Sequence, residues 1–271
     1  MTEERIAALP MYDFPYLTAA HDSLWGALAE RLSAAGVAGV PPRLTRNLAV
    51  IDTWRHPRLL LGQACEYPLA KSHAAHVRLV ATPCYAARGC DGARYRSAIV
   101  IQGDDPASSL ADLRGRRCAV NQMDSNSGMN LLRAAVAPLA AGEGFFGSVV
   151  VTGSHLASAR MVGDGRADTA AIDCVSLAHF ERFDPALIAR LRILAWTEAA
   201  PSLPFVTAMS TDAGTLHALH QTLAAVSVDP ALGAVRERLF LEGFDLAPDA
   251  GFSAVWRLEQ QAIASGYPSL Q

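Results

Sequence analysis

The sequence predicts an α/β protein made of two α/β bodies, the second inserted into the first. Two observations carry this reading. Short apolar runs with β-branched residues, "RSAIVIQ", "RRCAVNQ", "SVVVTG" and "DTAAIDCVSLAHF", alternate with segments whose apolar residues recur at helical spacing. The 271 residues are also 51% hydrophobic and 18% charged, enough to bury one large core or two modest ones. The predicted division is 1–94 plus 200–271 for the first, discontinuous body and 95–199 for the inserted one. The alternation favours parallel strands.

The elements follow in chain order. "RIAALPMYD" reads as a short apolar strand broken by Pro10. "TAAHDSLWGALAERLSAAG" is an amphipathic helix with Leu24, Leu28, Leu32 and Ala35 on one stripe and Gly36 as its stop. "RLTRNL" reads as a short strand, "VIDTWRHP" as a short helix, "RLLLGQACEYPLA" as a buried strand entering a loop, and "VRLVATPCY" as another strand. The polar loop "AARGCDGARY" precedes the strand "RSAIVIQ". "SSLADLRG" is a short helix capped by Ser108 or Ser109, and "RRCAVNQ" a strand. Met129, Leu132, Val136 and Leu139 then mark a helix, "SVVVTG" a strand, and "SHLASARMVGDGRA" a helix closed by glycines. "DTAAIDCVSLAHF" is a strand leaving on Asp173, and "DPALIARLRILAW" a helix running into a strand. Beyond the Pro-containing "AAPSLPFVTAMS", the tail reads as helical through "LFLEGF" and again in "FSAVWRLEQQAIAS".

Composition excludes several partners. A net charge of -3 lacks the clustered Lys and Arg that tracking nucleic-acid phosphates requires. No segment is long and apolar enough to span a bilayer, and the N-terminus lacks an apolar run ending in a cleavage site. The chain as given is therefore expected in the cytoplasm, or in the periplasm if it is truncated or processed. Five scattered cysteines (Cys65, Cys84, Cys90, Cys118 and Cys174) form no zinc pattern. Cys84 and Cys90 could bridge a loop in an oxidising compartment, with buried free thiols as the default. His73 and His76 have helical metal-ligand spacing without a third ligand. No metal and no cofactor are expected.

Chemistry concentrates where strands end. "NQMDSNSGMNLL" places Ser125, Asn126, Ser127 and Gly128 between a strand and an apolar helix. Such a start needs its N–H groups satisfied, so Ser125 or Ser127 caps the helix; the same hydroxyls, amide and N–H groups can instead seat an anion without Lys or Arg. Gly128 would let a ligand approach the backbone. The spacing is not that of a P-loop. "TGSHLASAR" repeats the arrangement with Ser154 and His155, and "AAIDCVS" puts Asp173 at a third strand end, as structural acceptor or ligand contact. Ligands of open α/β sheets gather at such carboxyl ends.

The order "YRSAIVI", "LADLRGRRCAVNQMDSNSG", "GSHLASARMVGDGRADTAAIDCVS", with Tyr12 in "ALPMYDF", resembles the phosphate/phosphite/phosphonate-type substrate-binding proteins of ABC transporters. The resemblance covers roughly residues 6 to 250. It implies a type II periplasmic-binding-protein fold: two lobes, each a mixed sheet flanked by helices, with a ligand cleft between them. It further implies ligand contacts from Tyr12, Glu66, Tyr67, Ser125, Asn126, Ser127, Gly128, His155 and Asp173. Asn126 stands where phosphonate binders commonly have Thr in "STSG", and Glu66 suits an amine or amide rather than an anion. The expected ligand is thus a small anion or zwitterion. The partner is an ABC permease or, for a cytoplasmic sensor, an intracellular protein. The contrasting reading is an enzyme on the same scaffold, like the pyrimidine synthases of thiamine biosynthesis, with His155 and Asp173 as an acid/base pair. Their cysteine cluster is absent here, no catalytic residue is assigned, and a non-enzymatic solute-binding protein is the leading expectation.

Overall fold

The computed structural model describes residues 4–140, 144–247 and 252–271. In chain order it contains β1 (Ile6–Ala8), α1 (Thr18–Ala34), α2 (Val50–Arg55), β2 (Leu59–Gln63), α3 (Glu66–Pro68) and β3 (Val77–Tyr85). There follow β4 (Arg94–Tyr95), β5 (Ser97–Gln102), β6 (Arg117–Val120), α4 (Leu131–Ala140), β7 (Ser148–Val151) and α5 (His155–Gly163). Then come β8 (Thr169–Asp173), α6 (Cys174–Phe183), α7 (Pro185–Ile188), β9 (Leu191–Trp196) and β10 (Ala200–Pro201). The chain ends with β11 (Phe205–Ala208), α8 (Ala213–Val228), α9 (Gly233–Arg238), β12 (Leu241–Asp245) and α10 (Ser253–Ala264).

Two compact units result. The first comprises Met1–Ala86, Asp91–Ala93 and Pro201–Gly251, the second Ala87–Cys90, Arg94–Ala200 and Phe252–Gln271. The division differs from the sequence-based one at the C-terminus, where the last segment falls in the second unit. The reason is packing: α10 buries Val255, Leu258 and Ala262 in an apolar stripe and lies against α4.

The first unit holds a five-stranded sheet of order β1-β2-β11-β3-β12. β1 and β2 are parallel, while β11 runs antiparallel to both β2 and β3, and β12 antiparallel to β3. β2 and β3 therefore share a direction, and the carboxyl ends of β1, β2 and β3 lie along one edge. Every residue of β2 is buried, which is why "LLLGQ" is a continuous apolar run rather than an alternating one. On α1, Leu24, Leu28 and Leu32 are buried as the spacing requires, and Gly36 takes φ 81° just past its end.

Two sequence expectations fail here, and one strand goes unread. "RLTRNL" is a loop tied by one backbone bond from Thr45 N–H to the Ala7 carbonyl, because it follows Pro41 and Pro42, which donate nothing to a ladder. "FVTA" is a fully buried strand, and "LEGFD" is β12 rather than helix. Helix α9 stops because Phe240 adopts a left-handed φ of 53°, which turns the chain into β12.

The second unit has the sheet order β7-β6-β8-β5-β9. β6 is parallel to β7 and β8, whereas β5 is antiparallel to β8 and β9. The sheet is thus mixed, as the family resemblance implies: β5 alone runs against the other four strands, which are linked in turn by α4, α5 and the α6–α7 pair. "SSLADLRG" is a single 3-10 turn in which Ser109 and Asp112 cap each other's backbone N–H groups.

Candidate functional site

In the second unit the parallel strands β6 and β8 end beside each other, so the turns that follow them share one edge of the sheet. After β6, Asn126–Asn130 form one π-type turn that runs into α4. Ser125 is its cap: the hydroxyl oxygen accepts from Gly128 N–H at 3.0 Å. The Ser125 carbonyl accepts from both Met129 and Asn130 N–H, so helical bonding starts there and the N–H groups of Asn126 and Ser127 precede it. Ser97 of β5 donates to the Ser127 carbonyl at 2.9 Å and fixes that turn against the sheet.

The Ser127 hydroxyl lies 2.8 Å from His155 Nε2, and the Ser125 and Ser127 hydroxyls are 3.4 Å apart. His155 opens α5, whose cap is the Ser154 hydroxyl, accepting from Ala157 N–H. Burial pushes the His155 pKa down to about 4, only partly opposed by the Ala171 carbonyl beside the ring. At neutral pH this histidine is an uncharged hydrogen-bonding group. Either tautomer can serve: the ring accepts the Ser127 proton, or it donates to the Ser127 oxygen and leaves that proton for a ligand.

This shift has a stability consequence. The folded state resists a proton that the unfolded chain takes up with a pKa of about 6.5. Stability from this group is therefore present above pH 6.5 and is lost as pH falls toward 4, by about 3 kcal/mol. Urea melts across this range should show the loss in the parent protein and a flatter profile in His155→Gln. Identical profiles would contradict a buried neutral imidazole.

Asp173 ends β8 and is 1% exposed. One of its carboxylate oxygens accepts from Val175 and Ser176 N–H at 2.8 and 2.9 Å, which caps α6.

Gly128 leaves room for two side chains of the turn. A Cβ built on it would stand 1.8 Å from Asn121 Oδ1 and 3.4 Å from His155 Cε1. Gly128→Ala should lower stability by about 1–3 kcal/mol, the usual cost of overpacking. Adding Asn121→Ala should recover most of that in thermal melts; no recovery would mean that another contact sets the limit.

Asn126 lies in the same turn. It is fully buried, its Oδ1 accepting from Asn130 Nδ2 at 2.9 Å and its Nδ2 donating to the Tyr95 hydroxyl at 3.2 Å. Asn130 Oδ1 in turn accepts from Arg133 at 2.7 Å, and Arg133 pairs with Glu259 of α10 at 3.8 Å. A guanidinium only donates, so it sets the polarity of the whole chain: Arg133 to Asn130, Asn130 to Asn126, Asn126 to Tyr95. Both Asn amides are thereby oriented.

The first unit gathers aromatic and polar groups along the edge where β1, β2 and β3 end. Tyr12 follows β1 and meets the Tyr85 ring edge-on at 5.4 Å. Gln63, the last residue of β2, donates to the Tyr85 hydroxyl at 3.0 Å. Glu66 and Tyr67 open the turn after β2, both buried, with the Lys71 ammonium 5.8 Å above the Tyr67 ring. Within this unit the structure brings Tyr12, Glu66 and Tyr67 to one sheet edge. Within the second it joins Ser125, Asn126, Ser127, Gly128 and His155 directly and puts Asp173 at the neighbouring strand end.

Tyr85, Tyr95, Ser97, Asn121, Asn130 and Arg133 went unnoticed in the sequence. Asn126, Asn130 and Arg133 at i, i+4 and i+7 were readable as one helical face. Nothing local signals that Tyr95 or Ser97 meets that turn, since those contacts are made across the sheet.

Comparison with solved structures places these two units in a known class. A binding-protein component of an ABC phosphonate transporter from Pseudomonas aeruginosa superposes with a TM-score of 0.76 at 15% identity, over 98% of this chain and 88% of that one. A Prochlorococcus marinus protein, PhnD1, solved with methylphosphonate gives 0.74 at 13% identity, over 96% and 98%. A Xanthomonas citri protein solved with chloride gives 0.72 at 16%, over 96% and 98%. The fold is that of the two-lobed periplasmic binding proteins. A search of curated protein sequences finds no match. The family model for the phosphonate periplasmic substrate-binding protein of ABC transporters matches residues 7–252, and the chain belongs to that family. It is a solute-binding protein.

Proposed function

We propose that the chain binds a small oxyanion of the phosphate, phosphite or phosphonate class and releases it unchanged, delivering it to an ABC permease in the periplasm. One observation supports this most: Ser125, Ser127 and the neutral His155 converge at the start of the helical turn before α4, where N–H groups and the positive end of the helix dipole face the same place. Neutral donors suit an anion that must be released again, because they hold it without a full opposing charge. In this reading Ser127 donates to the ligand, and His155 donates to the Ser127 oxygen and so orients its hydroxyl. Ser125 and Gly128 shape the turn, Asn126 orients it, and Asp173 holds α6.

Tyr12, Glu66 and Tyr67 remain proposed contacts on the strength of the family resemblance. In that resemblance Glu66 would suit a ligand that also carries an amine, such as an aminoalkylphosphonate. Thermal-shift titration with phosphate, phosphite, methylphosphonate, an aminoalkylphosphonate and a sulfonate tests the ligand class. Saturable stabilisation is expected from at least one phosphorus oxyanion. No shift across the panel overturns the assignment. A ³¹P spectrum of the bound compound that changes with time would overturn the non-enzymatic reading.

A further inference from the structure

Two of the five cysteines meet at a place the spacing of the sequence does not suggest. The Cys90 and Cys174 sulfurs are 3.4 Å apart, both within the second unit, although 83 residues lie between them in the chain (174 − 90 − 1). Cys84, the partner considered from sequence, instead lies 4.0 Å from the Thr82 carbonyl.

The approach is built into the loop that carries Cys90. Gly89 takes φ 104°, and a Cβ there would sit 2.7 Å from the Trp196 ring and 3.0 Å from Cys174 Cβ, so only glycine lets the loop press this closely. The Arg88 guanidinium lies 5.6 Å above the Trp196 ring, and Cys90 N–H donates to the Ala87 carbonyl at 2.9 Å. Arg88 and Gly89 thus hold the loop against Trp196 and Cys174. Cys174 is buried as the first residue of α6, directly after the capping Asp173, whereas Cys90 is partly exposed.

We propose that Cys90 and Cys174 form a peroxide-responsive dithiol that closes to a disulfide, fastening the loop by which the chain enters the second unit to the start of α6. The exposed Cys90 sulfur attacks one oxygen of hydrogen peroxide; the O–O bond breaks, leaving a sulfenic acid and one water. The Cys174 sulfur then attacks the Cys90 sulfur; the S–S bond forms, the S–O bond breaks, and hydroxide leaves with the Cys174 proton as a second water. Two electrons pass from the thiols to the peroxide. The hydrogen bond with Cys90, burial and the Asp173 charge all push the Cys174 thiol up, which makes Cys90 the first to react.

The test uses the full chain treated with hydrogen peroxide, alkylated, and digested with trypsin without reduction. Cys90 lies on the fragment 89–94, Cys174 on 167–182, and Cys84 on 79–88. The expected product joins 89–94 to 167–182, with free thiols falling from five to three, and it disappears in both Cys90→Ser and Cys174→Ser. A peroxide-treated chain that keeps five thiols overturns the proposal. So does a product joining 79–88 to 89–94, or Cys90 carried to sulfinic acid without a cross-link.

Discussion

Ser127→Ala combined with His155→Ala should abolish binding of whichever phosphorus oxyanion stabilises the parent protein. The two side chains form one unit, 2.8 Å apart at the start of two successive helices. A hydrogen bond to a charged acceptor contributes about 1.5–3 kcal/mol, so Ser127→Ala alone should weaken binding roughly 10- to 150-fold. His155→Ala removes the group that fixes the Ser127 hydroxyl, and its effect should overlap with the first rather than add to it in full. Isothermal titration of the two single variants and the double variant measures this overlap. The fold should survive, because Ser125 and not Ser127 caps the turn and Ser154 caps α5. A double variant with parent affinity and a parent-like melt would remove Ser127 and His155 from the site.

How much of this could be read from the sequence follows the range of the interactions. Turns whose bonding is local were legible: Ser125 caps within three residues, and the apolar stripe of α1 needs only its own spacing. The short β11 was not legible, since four apolar residues beside prolines carry no period, and the strand exists because β2 and β3 flank it. The same holds for α10, whose amphipathic stripe announces a helix without saying which unit it covers. At the candidate site, residue types were legible and their partners were not. That Asn121 fills the space above Gly128, and that Asn130 and Tyr95 stand at the two ends of the Asn126 amide, follows from the folded turn and the sheet behind it.

Arg133→Leu should destabilise the protein by about 3–5 kcal/mol, the cost of removing one partner of a buried ion pair. Arg133 and Glu259 are 4% and 6% exposed, so solvent has little access to the pair. Replacing both, Arg133→Leu with Glu259→Leu, removes both charges together and should recover at least half of the loss in urea melts. Ligand affinity should behave differently. Neither variant restores the donor to Asn130, so its amide and that of Asn126 lose the fixed polarity that the guanidinium imposes. The double variant should therefore regain stability while its affinity stays roughly tenfold or more below the parent, in line with one misdirected hydrogen bond of about 1.4 kcal/mol. Parent affinity in the double variant would confine the Arg133 chain to a folding role. A cost below about 1 kcal/mol for Arg133→Leu alone would mean that the pair is hydrated rather than buried.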